Sequence, residues 1–294
     1  MARSLGSTLN QVLRPLGLEL RRVGAAAPVD GSQDPRLSYM DDPGLQDVLL
    51  DELAQSARTA LADGPQIGSD AGAVAVWVRD FWRTYRARPF ADSRGGGGFH
   101  NSFWVYLVAR ALDPALIVES GVWKGHTSWL LAQACPQAEI HGFDLDLSRL
   151  DHHDARVQYH QHDWARHAFA SLEPERALSF FDCHVNHAQR IKEAHARGFR
   201  HLLVDDDPPL HKLYSYGLPG FPTVQMICAE LPSADTVAWH WRGKRFERPV
   251  DREEMAEARR LIDHCFVFPD VGGPTRYGRF SFLTYVRLVP PDAA

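Results

Sequence analysis

Aspartates and histidines at the ends of two apolar runs carry the densest chemistry in this sequence. Residues 177–181 (ALSFF) lead into Asp182-Cys183-His184-Val185-Asn186-His187, and residues 200–204 (RHLLV) lead into Asp205-Asp206-Asp207-Pro208-Pro209. If both runs are strands of a sheet ordered 3-2-1-4-5, they are neighbours and end on the same edge. Adjacent strands lie about 4.8 Å apart, so Asp182 and one or two of the three later aspartates converge. Carboxylates that close repel unless a cation or a shared proton compensates, and hard oxygen ligands suit Mg²⁺. The competing reading is local: Asp182 caps the next helix, and Asp207 closes a turn before Pro208. His184 and His187, as imidazoles, are candidates to take a proton at neutral pH. As an alternative they are surface histidines of the helix that follows.

A second constellation occupies residues 115–146, ALIVESGVWKGHTSWLLAQACPQAEIHGFDLD. An apolar run ends in Glu119, turns through Gly121 and Gly125, enters a helical pattern over 127–134 and returns through 140–144 to an acid, Asp144. This is strand, glycine turn, helix, strand. The glycines permit positive φ and close approach of the backbone to a ligand, and the helix start offers free N–H groups. Asp144 is placed to accept both ribose hydroxyls of a nucleoside. A dinucleotide site would call for G-x-G-x-x-G, whereas Val122, Trp123 and Lys124 separate these glycines. Glu119 would repel a pyrophosphate but suits a cationic amino-acid moiety.

The turn resembles the first motif of class I S-adenosylmethionine-dependent methyltransferases, and most closely the E-x-G-V-[WY]-[RK]-G-x-[ST] form of the macrocin-type, metal-dependent sugar O-methyltransferases. That resemblance implies a Rossmann-like α/β methyltransferase sheet of order 3-2-1-4-5-7-6 with the last strand antiparallel. It implies cofactor contacts from Glu119, Gly121, Trp123, Lys124, Gly125 and Asp144, with Asp163, at the end of a third strand, on the adenine amino group. It also implies Asp182, Asp205 and Asp206 as ligands of a divalent ion, Mg²⁺, that chelates two substrate oxygens. Asp182, His184 and His187 are then the candidate catalytic residues. The family often shows D-x-x-H or D-x-D-H after strand four. Here the near histidine is His184 and position 185 is Val, which leaves open which histidine is the base. The implied activity is O-methylation of a hydroxyl on a saccharide or other small metabolite. A non-catalytic cofactor-binding member of the fold acting as an assembly partner is the alternative, and an NAD-dependent oxidoreductase a more distant one.

The elements that must hold these residues are readable in outline. Residues 1–43 read as an N-terminal arm and linker, 44–113 as a helical cap with a glycine-rich loop, and 114–294 as the cofactor-binding domain. Leu45, Val48, Leu49, Leu53, Ala57 and Leu61 recur at helical spacing, with Asp41 or Asp42 as N-cap. A second amphipathic helix spans 71–88 with Trp77, Phe81, Trp82 and Tyr85 inward, and a third begins near Asn101. Between them, Gly95 to Gly98 either form a lid that brings in His100 or Asn101, or serve as a linker. Histidines 152, 153, 160, 162 and 167 are irregularly spaced and read as a solvated loop. Lys212, Tyr214 and Tyr216 are candidates to face a polyol substrate. Residues 251–264 read as a helix with Met255, Ala258, Leu261 and Ile262 inward, followed by a hairpin of 265–269 and 281–288.

Composition bounds the class. The chain of 294 residues, 45% apolar and 23% charged, is long enough for one large α/β domain with extensions. A net charge of −5 lacks the basic excess of nucleic-acid binders. The four cysteines form no C-x-x-C pair, so neither a zinc motif nor a disulfide framework is indicated, and a reducing cytoplasm fits. No apolar run reaches the length of a signal peptide or membrane span. Partners are therefore expected to be a small-molecule acceptor and, optionally, a second copy of the chain.

Overall fold

The computed structural model describes residues 39–67, 70–90, 97–170, 172–215, 217, 219–229, 233–276 and 281–290. The N-terminal arm, most of the linker, Ser93 to Gly96 of the glycine-rich loop, and Tyr216 lie outside the described residues. The end of the expected linker is a short 3-10 turn, Tyr39–Asp41, that buries Met40 in the core.

Three helices precede the sheet. Helix α1 (Gln46–Asp63) buries Leu50, Leu53, Ala54, Ala57 and Leu61 at threes and fours. It starts without a side-chain cap; Asp42 instead accepts from Gly44 N at 2.8 Å in the preceding turn. Leu45 and Val48 of the expected stripe are exposed, because the stripe shifts by about one residue toward Leu50 and Leu53. Helix α2 (Ala71–Arg86) is capped by Asp70, which accepts from Ala73 N, and buries Val74, Val78, Phe81, Trp82 and Tyr85. Helix α3 (Phe99–Leu112) is buried almost all round, as befits a helix between the sheet and two others.

Strand β1 (Leu116–Ser120), helix α4 (His126–Ala134) and strand β2 (Glu139–Phe143) form the expected unit. Then follow β3 (Val157–His160), β4 (Ala177–Phe181), α5 (His187–Ala196) and β5 (His201–Val204). A short helix α6 (Val224–Cys228) leads to a separate hairpin of β6 (Thr236–Trp241) and β7 (Lys244–Pro249). Helix α7 (Arg252–Arg260), strand β8 (Ile262–Val267), the short α8 (Gly272–Thr275) and β9 (Thr284–Leu288) complete the described chain.

The main sheet runs β3-β2-β1-β4-β5-β9-β8, with β9 antiparallel to both neighbours. Counting only the strands of this sheet, the order is 3-2-1-4-5-7-6. The inserted β6–β7 hairpin, absent from the sequence reading, shifts the numbering by two. The expected helix over 251–264 ends at Arg260 instead, and Ile262 opens β8; the helix is stopped while pairing with β9 offers residues 262–267 a ladder. Alternate residues of each strand feed two cores. Ile117, Ile140, Leu178 and Leu203 pack with α1 to α4, and Leu116, Val118, Phe181, Leu202 and Val204 pack with α5 to α7.

Candidate functional site

Strand order reverses between β1 and β4, the point at which open α/β sheets leave a crevice beyond the strand ends. A cleft of roughly 460 Å³ opens there, lined among others by Gly121, Trp123, Phe143, Asp144, Asp182 and His184. That volume suits a nucleoside-sized ligand. The parallel ladder runs one residue past the strands, with Asp182 N donating to Ser120 O and Asp205 N to Phe181 O, both at 2.9 Å. This fixes Asp182 and Asp205 at the rim.

The glycine turn has steric reasons for its residues. Gly121 sits at φ +103°, and a Cβ there would collide with the backbone carbonyl of Asp182. Gly125, the residue before α4, is at φ +86°, with His152 O 2.6 Å from where a Cβ would lie. Asp144 holds the turn from the neighbouring strand: its Oδ2 accepts from Val122 N and Trp123 N, and its Oδ1 from Asp146 N, all at 3.0 Å. Each carboxylate oxygen offers further lone-pair capacity. Trp123, at φ +51°, forms a wall of the cleft with the Arg149 guanidinium 4.6 Å from its ring centroid. Its buried indole N–H has no hydrogen-bond partner among the described residues, so an acceptor on a bound ligand would satisfy it. Lys124 pairs with Asp151 at 3.4 Å.

Glu119 is placed differently from its expected role. Alternation on β1 turns it away from the cleft and under α4, where it is fully buried and receives the Ser128 hydroxyl. Burial pushes its carboxyl up to about 8, against the opposing hydrogen bond from Ser128. Asp163 does line the cleft, but its carboxylate is already engaged. It accepts from Ala165 N at 2.8 Å and from both terminal nitrogens of Arg190 at 3.2 and 2.7 Å. Its pKa lies below the ordinary carboxylate value because the Arg190 and Ala165 hydrogen bonds outweigh its partial burial.

At the acidic rim, Asp182, His184 and Asp206 each present a ligand atom within 4.8 Å of the other two. His184 Nδ1 lies 3.4 Å from Asp206 Oδ2. Both His184 and Asp206 have left-handed backbone, φ +52° and +49°, costing about 1–3 kcal/mol each for non-glycine residues. Together with Trp123 they make three such residues at one site. Burial, then the neighbouring Asp205 and Asp206, raises the Asp182 carboxyl well above its ordinary value. Burial and Asp206 push Asp205 up to about 7. This crowding of acids is what a divalent cation would relieve, and two carboxylates with an imidazole are a competent donor set.

Asp205 does not join the cluster. It points to the α3 side, accepting from Asp206 N at 2.6 Å and Ser281 Oγ at 2.9 Å. His187 is likewise not brought to the cleft. It is buried against Asp207 at 3.2 Å, and the same carboxylate accepts from Val224 N at 2.6 Å and from Thr284 Oγ1. His100 is inside α3, fully buried, accepting from Val271 N at 3.3 Å, and burial lowers it to about 3, so it is no part of a lid. Lys212 and Tyr214 lie on a 3-10 segment, Leu210–Ser215, and do not line the cleft.

Arg190 is the residue that sequence reasoning missed. It is 1% exposed and binds Asp163, Glu193 at 2.6 Å and Cys183 Sγ at 3.3 Å, tying α5 to the cleft wall. The signal was a charged residue on the buried stripe of α5. The histidines read as a solvated loop are also assembled. His160 stacks on His141 of β2 at 5.2 Å between centroids, and His167 meets the same ring tilted, at 5.1 Å. Burial and its histidine neighbours lower His160 to about 4.

No protein-family model matches the chain, and no curated protein sequence matches it either. Solved structures do resemble it. A CmcI structure with SAH shares 20% identity at a TM-score of 0.34, over 37% of this chain and 61% of that one. A CmcI structure with Mg and SAM shares 22% at 0.33, over 40% and 56%. The O-methyltransferase TomG from Streptomyces achromogenes, in complex with SAM, shares 14% at 0.38, over 86% and 97%. The chain thus spans under two thirds of the CmcI chains. The sheet order and the antiparallel β9 decide the architecture. This is the Rossmann-like methyltransferase fold.

Proposed function

We propose that the chain is an S-adenosylmethionine-dependent O-methyltransferase that uses a divalent ion and acts on a hydroxyl of a small metabolite. The observation that carries this reading is the convergence on one cleft of the Gly121 turn with its Asp144 brace and the Asp182–His184–Asp206 cluster. When bound, the cofactor supplies an electrophilic methyl group on a sulfonium, and the ion supplies a Lewis acid that lowers the pKa of a hydroxyl.

The chain's own residues orient the reactants. Asp144 accepts from ribose hydroxyls with the lone pairs that its turn contacts leave. The Trp123 indole and the Asp163–Arg190 pair wall the nucleoside. Asp182, His184 and Asp206 hold the ion, and the imidazole in the set admits Mn²⁺ or another borderline ion beside Mg²⁺. Asp205 stands behind the cluster, orienting Asp206 through its backbone N–H. A second reading of His184 is favoured by its 3.4 Å approach to Asp206: Nδ1–H held by the carboxylate leaves Nε2 to take the acceptor's proton. The sugar-like acceptor is supported by the macrocin-type form of the turn.

The test is release of S-adenosylhomocysteine across a panel of monosaccharides, oligosaccharides and glycosylated metabolites, with Mg²⁺, Mn²⁺ or EDTA. Metal-dependent turnover with at least one acceptor, abolished in Asp182→Asn, is expected. Turnover unaffected by EDTA would remove the metal from the reading, and none with any acceptor would favour a binding protein. His184→Asn separates its two roles: a weakened Mn²⁺ titration marks a ligand, and an unchanged titration with a lost acid limb in the pH profile marks the base.

A further inference from the structure

A second group of potential ligands packs against Phe143 at the β2–β3 end of the cleft and is used by nothing described above. His141 of β2 and His160 of β3 are on adjacent strands, and their rings come together with His167 from the segment that crosses over them. One nitrogen of each ring lies within 4.8 Å of the other two. His141 Nδ1 and His160 Nε2 approach to 2.9 Å. On its other side, His141 Nε2 lies 2.9 Å from the Glu139 carboxylate, which in turn receives Gln158 Nε2 at 3.3 Å.

We propose that His141, His160 and His167 form a binding site for a zinc-class transition-metal ion, with Glu139 as the carboxylate that orients His141. Three imidazoles are the donor set such ions prefer, and a carboxylate on the far nitrogen of a ligating histidine is the usual means of fixing its tautomer. With Nε2–H donated to Glu139, His141 presents an unprotonated Nδ1 to the cluster. Two ligands on a tetrahedral Zn²⁺ lie about 3.3 Å apart, so the 2.9 Å pair needs to open by only a few tenths of an ångström. His160 and His167 are part-exposed, which gives the ion a path in. His162 is the nearest further imidazole, its centroid 5.5 Å from that of His160. Its Nδ1 lies 3.0 Å from Asp163 O, so its Nε2 or a water completes the coordination. The ion would pin the crossing segment, including the cleft residues His162 and Asp163, to the sheet edge. The site stands whether or not the methyltransferase reading holds.

The experiment is titration of Zn²⁺, and of Co²⁺ followed by its visible d–d absorption, into the His184→Ala protein, which removes the imidazole of the acidic cluster. One equivalent bound with the intense spectrum of a low-symmetry imidazole complex is expected. His160→Gln and His167→Gln should each weaken it by at least tenfold, and Glu139→Gln by about 10–100-fold as an orienting group. Zn²⁺ should raise the unfolding temperature of the parent but not of His167→Gln, whose substitution lies outside the strands and leaves the ladder intact. Binding that is equal in the parent, His160→Gln and His167→Gln would overturn the site, as would no binding to the folded parent. If His160→Gln fails to fold, His167→Gln decides.

Discussion

Glu119→Gln isolates one buried proton. Glu119 is inaccessible on β1, with the Ser128 hydroxyl on Oε2 and, among the described residues, no hydrogen-bond partner on Oε1. Its carboxyl titrates near 4.5 ordinarily and is pushed up to about 8 by burial. A raised folded-state pKa contributes stability that is complete below the unfolded value and is lost as pH rises through the folded one. Between the two, folding takes up a proton, so stability falls by about 1.4 kcal/mol per pH unit. The accumulated loss is about 3 kcal/mol at neutral pH and about 5 kcal/mol above the folded value, where both states are ionised. Glutamine keeps the shape and needs no proton. Its second amide N–H, left without an acceptor, subtracts a pH-independent offset of about 1–3 kcal/mol. Urea midpoints of the two proteins, compared at intervals from about pH 5 to about pH 9, should therefore diverge in favour of the variant up to about pH 8 and then run parallel. Titrations of groups that do not feel the Glu119 charge cancel in the difference. A gap that is constant across the range would refute a neutral Glu119.

Three further outcomes follow from particular contacts. Gly121→Ala meets both a left-handed backbone and the Asp182 carbonyl; it should cost about 2 kcal/mol or more in a urea midpoint and weaken S-adenosylhomocysteine in calorimetry. Arg190→Met leaves Asp163 and Glu193 unpaired, and because those acids are 29% and 18% exposed, the cost should fall near about 2 kcal/mol, at or below the low end for a broken buried pair. Because Asp163 has a lowered pKa, its contribution is present above the ordinary carboxylate value and lost as pH falls through the folded value; the cost should shrink in urea melts below about pH 4. His187→Ala should lower the unfolding free energy by about 2–3 kcal/mol yet leave Mn²⁺ binding intact, whereas His184→Ala should do the reverse.

The glycine turn was legible because Gly121 and Gly125 answer to steric demands that sequence can express: positive φ and a neighbour where Cβ would be. The convergence of Asp182 with Asp206 was legible because strand order makes β4 and β5 neighbours. Asp205 was misplaced for a local reason: alternation along β5 sends it toward α3, and the left-handed φ of Asp206 then turns the next carboxylate back to the cleft. Left-handed backbone at a non-glycine residue leaves no compositional trace, so His184 as third donor was hidden too. The β6–β7 hairpin turns on Arg242-Gly243 at φ +48° and +77°, a two-residue hairpin geometry that only its glycine announces. Around residues 261–264 the short mixed stretch Leu261-Ile262-Asp263-His264 fits helix and strand equally until β9 supplies a partner. The histidines 141, 160 and 167 look scattered because the spacing that unites them lies across strands.

The central claim is a nucleoside cofactor beside a divalent ion, and calorimetric titration of S-adenosylhomocysteine, with and without Mn²⁺ or Mg²⁺, tests it most directly. Binding to the wild type, abolished in Asp144→Ala, together with metal binding that is lost in Asp182→Ala and Asp206→Asn but kept in Asp205→Asn, is the expected result. A wild-type protein that binds the metal but ignores the nucleoside, or one in which Asp205→Asn alone loses the metal, would contradict it.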